Sequence, residues 1–200
     1  MIRRFRAAGL ATLLLAFCAR ADPGLERGGW TPAAATELGL GAVIPTLHTT
    51  AFSLGGRLGG GHDTPWGRLS LMGEIDFQVA FNVGNSVDNY GYLVRVPLGF
   101  SVEAGFPQAI DSLKGTYVVH RVALGASYSF ALAANCGGTC NYVQAAGYPG
   151  VFLRVGSTFT AASGNSVGVF VTPHLSFVKD TLGNGGLVMT MLFGLGWSIY

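Results

Sequence analysis

The sequence has few charged residues and, beyond its N-terminus, no long apolar run. Charged residues make up 11% of the 200 residues, whereas apolar residues make up 50%. This composition suggests a membrane protein, but the lack of any later run of about eighteen apolar residues excludes spanning helices. Glycine is abundant, with 31 residues, and glycine destabilises helix interiors. A closed β-barrel is the other structure that satisfies every backbone polar group in lipid.

The first 21 residues have the features of an export signal. Arg3, Arg4 and Arg6 form a basic start, and the apolar stretch 10–17 is too short to span a membrane. The small residues of Ala19-Arg20-Ala21 predict cleavage before Asp22, so residues 1–21 are a predicted signal peptide and 22–200 the barrel domain. Two alternatives stay open: an ordinary amphipathic N-terminal helix, and lipoprotein processing at Cys18.

Removal of this signal would change the charge of the chain. Four of the twelve basic residues leave with it, and eight then stand against ten acidic residues, a formal net charge of −2. Because no basic cluster remains, nucleic-acid binding is not predicted.

Only three cysteines are present, and Cys18 would leave with the signal. Cys136 and Cys140 remain within Cys-Gly-Gly-Thr-Cys, and in an oxidising envelope this pair predicts a disulfide. Metal binding is the alternative, but further ligands are not obvious nearby. The sequence therefore predicts neither a metal site nor a cofactor.

Strand-like alternation recurs along the chain. A barrel strand in lipid alternates apolar outward-facing residues with small or polar inward-facing ones over about nine to eleven positions. Residues 68–83 alternate most clearly, with Leu69, Leu71, Ile75, Phe77, Val79, Phe81 and Val83 against Arg68, Ser70, Glu74, Asp76, Gln78 and Asn82. The other runs are 36–44, 50–58, 90–103, 117–132, 150–161, 166–178 and 187–199. The even count of eight predicts an all-β fold, a closed up-and-down antiparallel transmembrane β-barrel.

The connections between these runs carry turn residues. With the mature N-terminus in the periplasm, the outer connections are 45–49, 84–89, 133–147 and 179–186, and the periplasmic ones are 59–66, 104–116 and 162–165. His120 lies on the apolar parity of its run, which predicts a position near the rim. Aromatic residues near run ends predict a girdle at the lipid headgroups: Trp66, Tyr90, Tyr92, Tyr117, Tyr148 and Trp197.

The C-terminus resembles the assembly signal of outer-membrane barrels. Leu192-Phe193-Gly194-Leu195-Gly196-Trp197-Ser198-Ile199 has the hydrophobic-x-Gly-x-x-aromatic-x-hydrophobic pattern, although Tyr200 follows where the family more often ends on the aromatic. Residues 34–200 are similar to the outer-membrane protein A-like and X-like eight-stranded barrels. The resemblance implies insertion into the bacterial outer membrane, contact with its lipid, and recognition of the last strand by the barrel assembly machinery.

The polar parity of the runs predicts the content of the lumen. Its ionisable members are Glu37, Arg57, Arg68, Glu74, Asp76, Arg95, Glu103, Arg121, Arg154 and His174. Because buried charges are costly alone, they are expected to pair, and eight strands enclose only enough space for side chains. The sequence thus predicts an ionic plug, with a narrow, porin-like pore for small solutes or ions as the alternative.

A lipid A-modifying enzyme and a soluble β-protein are the two other classes that the sequence could suggest. His174-Leu175-Ser176 resembles the His-x-Ser of lipid A deacylases, but Phe177 replaces the asparagine of that family and both residues lie on the lumenal parity. A soluble sandwich or lipocalin-like barrel would need an apolar interior, which the Gly, Ser, Thr and ionic parity does not supply. We therefore expect a non-enzymatic outer-membrane protein with a structural role or a surface-interaction role through loops such as 133–147, its extracellular partner being unknown.

Overall fold

The protein is described by a computed structural model that covers residues 29–44, 50–64, 67–81, 90–109, 116–137, 139–161, 163, 165–179 and 185–199. The predicted signal peptide and Cys18 lie outside these residues. The strands are β1 (Trp30–Ile44), β2 (Thr50–Thr64), β3 (Gly67–Phe81), β4 (Tyr90–Ala109), β5 (Tyr117–Gly137), β6 (Thr139–Thr160), β7 (Asn165–Lys179) and β8 (Gly185–Ile199).

The eight strands close into one antiparallel barrel in sequence order. Each strand pairs with the next, and β1 also pairs with β8 to close the ring. Leu38 of β1, for example, lies opposite Leu54 on one side and Leu195 on the other. The predicted fold class is therefore confirmed. Among the described residues, no helix is long and apolar enough to cross a membrane.

Apolar side chains cover the outside of the barrel, and polar side chains fill the inside. Leu124 is 66% exposed and Phe100 61%, whereas Ser101 and Ser176 are fully buried and Glu103 is 1% exposed. The one described cluster of buried apolar side chains is small: Val43, Ala51, Ala80 and Leu192. An apolar exterior of this extent must face hydrocarbon, because soluble monomers rarely expose apolar patches beyond a few hundred Å².

The strands are longer than the sequence predicts, and the loop expected at 133–147 is instead a β-hairpin. β5 and β6 pair as far as Gly137 and Thr139, with a register shift between Ala133 and Ala134. The alternation fades here because a strand beyond the bilayer does not need an apolar outer face. The connections expected at 59–66 and 104–116 are likewise strand as far as Thr64 and Ala109. In β2 the inward-facing polar alternation continues through the glycines, which the sequence suggested as a turn.

Candidate functional site: the ionic network in the lumen

The barrel places all ten predicted lumenal residues on its inward parity. Inward positions are odd-numbered on β1, β2, β4 and β5 and even-numbered on the other four strands. This follows from strand geometry, because alternate side chains point to opposite faces. The side chains form three groups at different depths along the lumen.

The largest group is a chain of six alternating charges contributed by six strands. Glu103 accepts from Arg57 at 2.6 Å and from Arg121 at 2.8 Å. Glu37 lies 2.6 Å from the other Arg57 terminal nitrogen and 3.1 Å from Arg154 Nε. Arg154 then donates to both oxygens of Glu74, at 3.1 and 2.9 Å. The order Arg121–Glu103–Arg57–Glu37–Arg154–Glu74 is neutral and crosses the lumen.

Neutral groups complete this crossing chain. Arg121 Nε donates to Thr158 at 3.1 Å, and Ser101 donates to Glu74. Arg57 lies 5.7 Å from the centre of the Phe170 ring, and Arg154 lies 5.3 Å from that of Phe152. Such cation–π contacts add to the stabilisation of a desolvated guanidinium.

The two inward phenylalanines fit because glycines face them from neighbouring strands. A Cβ added at Gly125 would lie 2.1 Å from the Phe152 ring, and one at Gly156 would lie 2.3 Å from Phe170. Sequence analysis missed both aromatic residues, although their even numbers on β6 and β7 give the same parity as Arg154 and His174. Tyr148 shares that parity and is buried, and Tyr117 lies on the inward, odd parity of β5, so the expectation that these two face outward is wrong.

The second group is centred on Arg95, which is 3% exposed. Its Nε donates to Gln78 at 2.9 Å, and its terminal nitrogens donate to Ser176 at 2.9 Å and Thr190 at 3.3 Å. Gln78 in turn donates to Asp76 at 2.5 Å. Arg95 and Asp76 therefore belong to one hydrogen-bonded network that is formally neutral, like the crossing chain.

The third group lies at the end of the barrel that carries both termini. Arg68 contacts Asp63 at 3.4 Å and donates to the Thr31 carbonyl at 3.1 Å. Asp63 was not predicted, because the glycines before it suggested a turn. With it, five arginines face five carboxylates among the described lumenal residues.

A cavity of about 50 Å³ is lined by residues of both the crossing chain and the Arg95 group. Glu37, Glu74 and Arg154 of the crossing chain contribute to it, as do Asp76, Gln78 and His174. Since a water molecule needs about 10–15 Å³ by this measure, the cavity can hold a few. Asp76 Oδ1 is buried without a hydrogen-bond partner among the described residues, so water suits it.

Comparison with known proteins gives fold likeness only. No protein-family model and no curated protein matches the chain. Among solved structures, Neisserial surface protein A is 14% identical to this chain, with a TM-score of 0.48. The alignment covers 86% of this chain and 98% of that protein. The outer-membrane enzyme PagL is 16% identical with a TM-score of 0.49, and the alignment covers 82% of this chain and 98% of PagL. A major outer membrane protein from Thermus thermophilus is 12% identical with a TM-score of 0.49, and the alignment covers 84% of this chain and 100% of that protein.

The closed ring of eight strands, its apolar exterior and its ionic interior decide the fold class without those likenesses. The chain is a closed, eight-stranded transmembrane β-barrel.

The His174–Ser176 pair lies inside the barrel. His174 Nδ1 is 3.1 Å from Ser176 Oγ, and His174 Nε2 is 2.8 Å from Ser127 Oγ. Ser176 also accepts from Arg95 and has no exposed surface. A nucleophilic serine needs a base and an orienting group within reach, but here the second imidazole nitrogen meets another serine and the wall separates the pair from lipid.

Cys136 and Cys140 lie directly opposite each other in the β5–β6 hairpin. Cys136 pairs with Cys140 in the backbone register. Their side chains lie outside those that the structure describes, so the disulfide stays a prediction. In the described part of the barrel, no group of three or more His, Cys, Asp or Glu side chains could hold a metal ion.

Proposed function

We propose that this protein is an integral, non-enzymatic barrel of the bacterial outer membrane, plugged by its ionic network and acting in a structural or surface-interaction role. The observation that carries the plug is the neutral chain of six charges across the lumen. Each of its three carboxylates contacts an arginine at 2.9 Å or less. The contacts of Glu103 and Glu74 are charge-assisted hydrogen bonds, which are strong and hold side chains in place.

The plug predicts very low conductance for the native barrel. In planar bilayers we expect no steady openings from the purified protein, because the crossing chain and the Arg95 group both fill the lumen. Single-channel recording measures this directly, with a general porin as the positive control. Steady openings would favour the alternative function, a narrow pore for small solutes or ions.

The surface role is supported by the height of the β5–β6 hairpin. The last backbone pair between β6 and β7 joins Gly150 to Ser176, whereas β6 continues to pair with β5 as far as Thr139. Residues Thr139–Pro149 thus extend beyond that last pair with β7. They provide a surface that an extracellular partner could contact.

The predicted disulfide at the hairpin tip has a direct test. Because Cys136 and Cys140 are cross-strand partners and the envelope is oxidising, we expect the mature protein to take up two alkyl groups only after prior reduction. Intact-mass spectrometry after alkylation, with and without prior reduction, measures this. Alkylation of both thiols without prior reduction would contradict the prediction.

The absence of enzyme activity is also a proposal with a clear test. We expect cells expressing the wild type and Ser176→Ala to have identical lipid A, because Ser176 is enclosed and hydrogen-bonded to Arg95. Mass spectrometry of lipid A, with empty-vector cells as the control, compares the two. Acyl-chain loss that depends on Ser176 would contradict the proposal.

A further inference from the structure

Three polar side chains come together on the outer wall of the barrel, apart from the lumenal network. His120 of β5 lies opposite Ser157 of β6, and its Nδ1 is 2.9 Å from Ser157 Oγ. Its Nε2 is 3.4 Å from Gln108 Oε1 on β4. The cluster of Gln108, His120 and Ser157 therefore bridges three adjacent strands.

The surrounding wall is apolar, which makes this cluster unusual. Phe106 lies opposite His120, and Val122, Val155, Phe159 and Val169 are 41–58% exposed around it. Polar groups that face hydrocarbon without partners are costly. Three of them gathered on a lipid-facing wall therefore need a polar environment.

The depth of the cluster supplies that environment. His120 is the fourth residue of β5, Ser157 is the fourth from the end of β6, and Gln108 is the last but one of β4. All three ends lie on the side that carries the chain termini, where exposed Trp197 also lies. Tryptophan is enriched where membrane and water meet, so the cluster lies at headgroup depth at the end that carries the termini, which is expected to face the periplasm.

The hydrogen-bonding capacity of the cluster suits an anion. His120 Nε2–H donates to Gln108 Oε1, and Ser157 Oγ either donates to or accepts from Nδ1. These contacts use the amide oxygen of Gln108 and leave its two amide protons to donate to a bound oxygen atom. Among the described residues, the contacts of this cluster include no carboxylate, so an ammonium group would find no counter-charge.

We propose that Gln108, His120 and Ser157 bind the phosphodiester group of a glycerophospholipid in the periplasmic leaflet. This inference rests on the proposed membrane location and not on the plug. The hydrogen bonds go to phosphate oxygens, while the acyl chains lie along the apolar wall between Phe106 and Val169.

The test compares lipid binding by the detergent-solubilised full barrel and a triple variant, Gln108→Leu/His120→Leu/Ser157→Ala. Native mass spectrometry with dioleoylphosphatidylglycerol measures the affinity of the tightest lipid. The matched control is His62→Leu, an outward histidine at the same end of the barrel whose Nδ1 contacts the Gly29 carbonyl. We expect about tenfold weaker lipid binding in the triple variant, because hydrogen bonds to the charged phosphate oxygens are lost. We expect no change in the control.

Two competitors test whether the cluster recognises the lipid phosphodiester, the acyl chains alone or free phosphate. Dioleoylglycerol, which lacks the phosphate, is expected not to displace the phospholipid, and inorganic phosphate is expected not to compete at equal concentration. Displacement by either compound, or wild-type affinity in the triple variant, would overturn the proposal. If the triple variant fails to fold, the single variant Gln108→Leu at the strand end takes its place in the test. Weaker lipid binding by this variant is expected, and unchanged binding would contradict the proposal. Conductance should be the same in all these variants, so failure of this inference is distinguishable from failure of the plug.

Discussion

Replacement of Glu103 by alanine is expected to destabilise the folded barrel by about 3–5 kcal/mol, the usual cost of breaking a buried ion pair. Glu103 is 1% exposed and accepts from Arg57 and Arg121, which are 3% and 4% exposed. The variant leaves both guanidinium groups in the lumen without this carboxylate. Urea-induced unfolding in lipid vesicles measures the change in the free energy of unfolding.

The matched control is Asp63→Ala, which removes a lumenal carboxylate at the rim. Asp63 is 24% exposed and meets Arg68 at 3.4 Å, so its loss should cost no more than about 1 kcal/mol. Glu103→Gln should lie between the two, since its single amide oxygen keeps one of the two hydrogen bonds but not the charge. Equal midpoints for Glu103→Ala and Asp63→Ala would contradict the assignment of Glu103 to the centre of the plug.

The residues of the lumen could be predicted from sequence because strand alternation is a local property. Once Arg57 or Arg154 is assigned to the inside, every second residue of the same strand is also predicted to face inward. The ten predicted ionisable residues all lie on inward positions. The same rule applied without interruption would have found Asp63, Phe152 and Phe170. These were missed because glycines suggested a turn, or because an aromatic residue was expected to face lipid.

The pairing of those residues could not be predicted from sequence. Glu37 and Arg154 meet at 3.1 Å although β1 and β6 are not neighbours. Contacts across the lumen depend on the tilt and stagger of the strands, which set the level of each side chain along the barrel axis. The strand-like hairpin at 133–147 was missed for a different reason, because alternation in hydrophobicity is imposed by lipid and is lost where a strand rises beyond it.

Conductance should appear only when both lumenal groups are broken together, because the crossing chain and the Arg95 group close the lumen in series. The variant Glu37→Ser/Arg57→Ser removes one neutral pair from the crossing chain and leaves Glu103 with Arg121 and Glu74 with Arg154. The variant Asp76→Ser/Arg95→Ser removes a neutral pair from the other group. Each double variant alone should still lack steady openings.

The quadruple variant that combines both should give steady openings in planar bilayers, since a continuous path then joins the cavity to both ends of the barrel. Each substitution set is neutral, so an uncompensated buried charge does not confound the comparison. The control is Asp63→Ser/Arg68→Ser, an equally neutral change at the rim that leaves both groups intact and should not open the barrel. Steady openings in either double variant would show that its partner group does not seal the lumen, and a closed quadruple variant that folds would mean that side chains outside these two groups fill it.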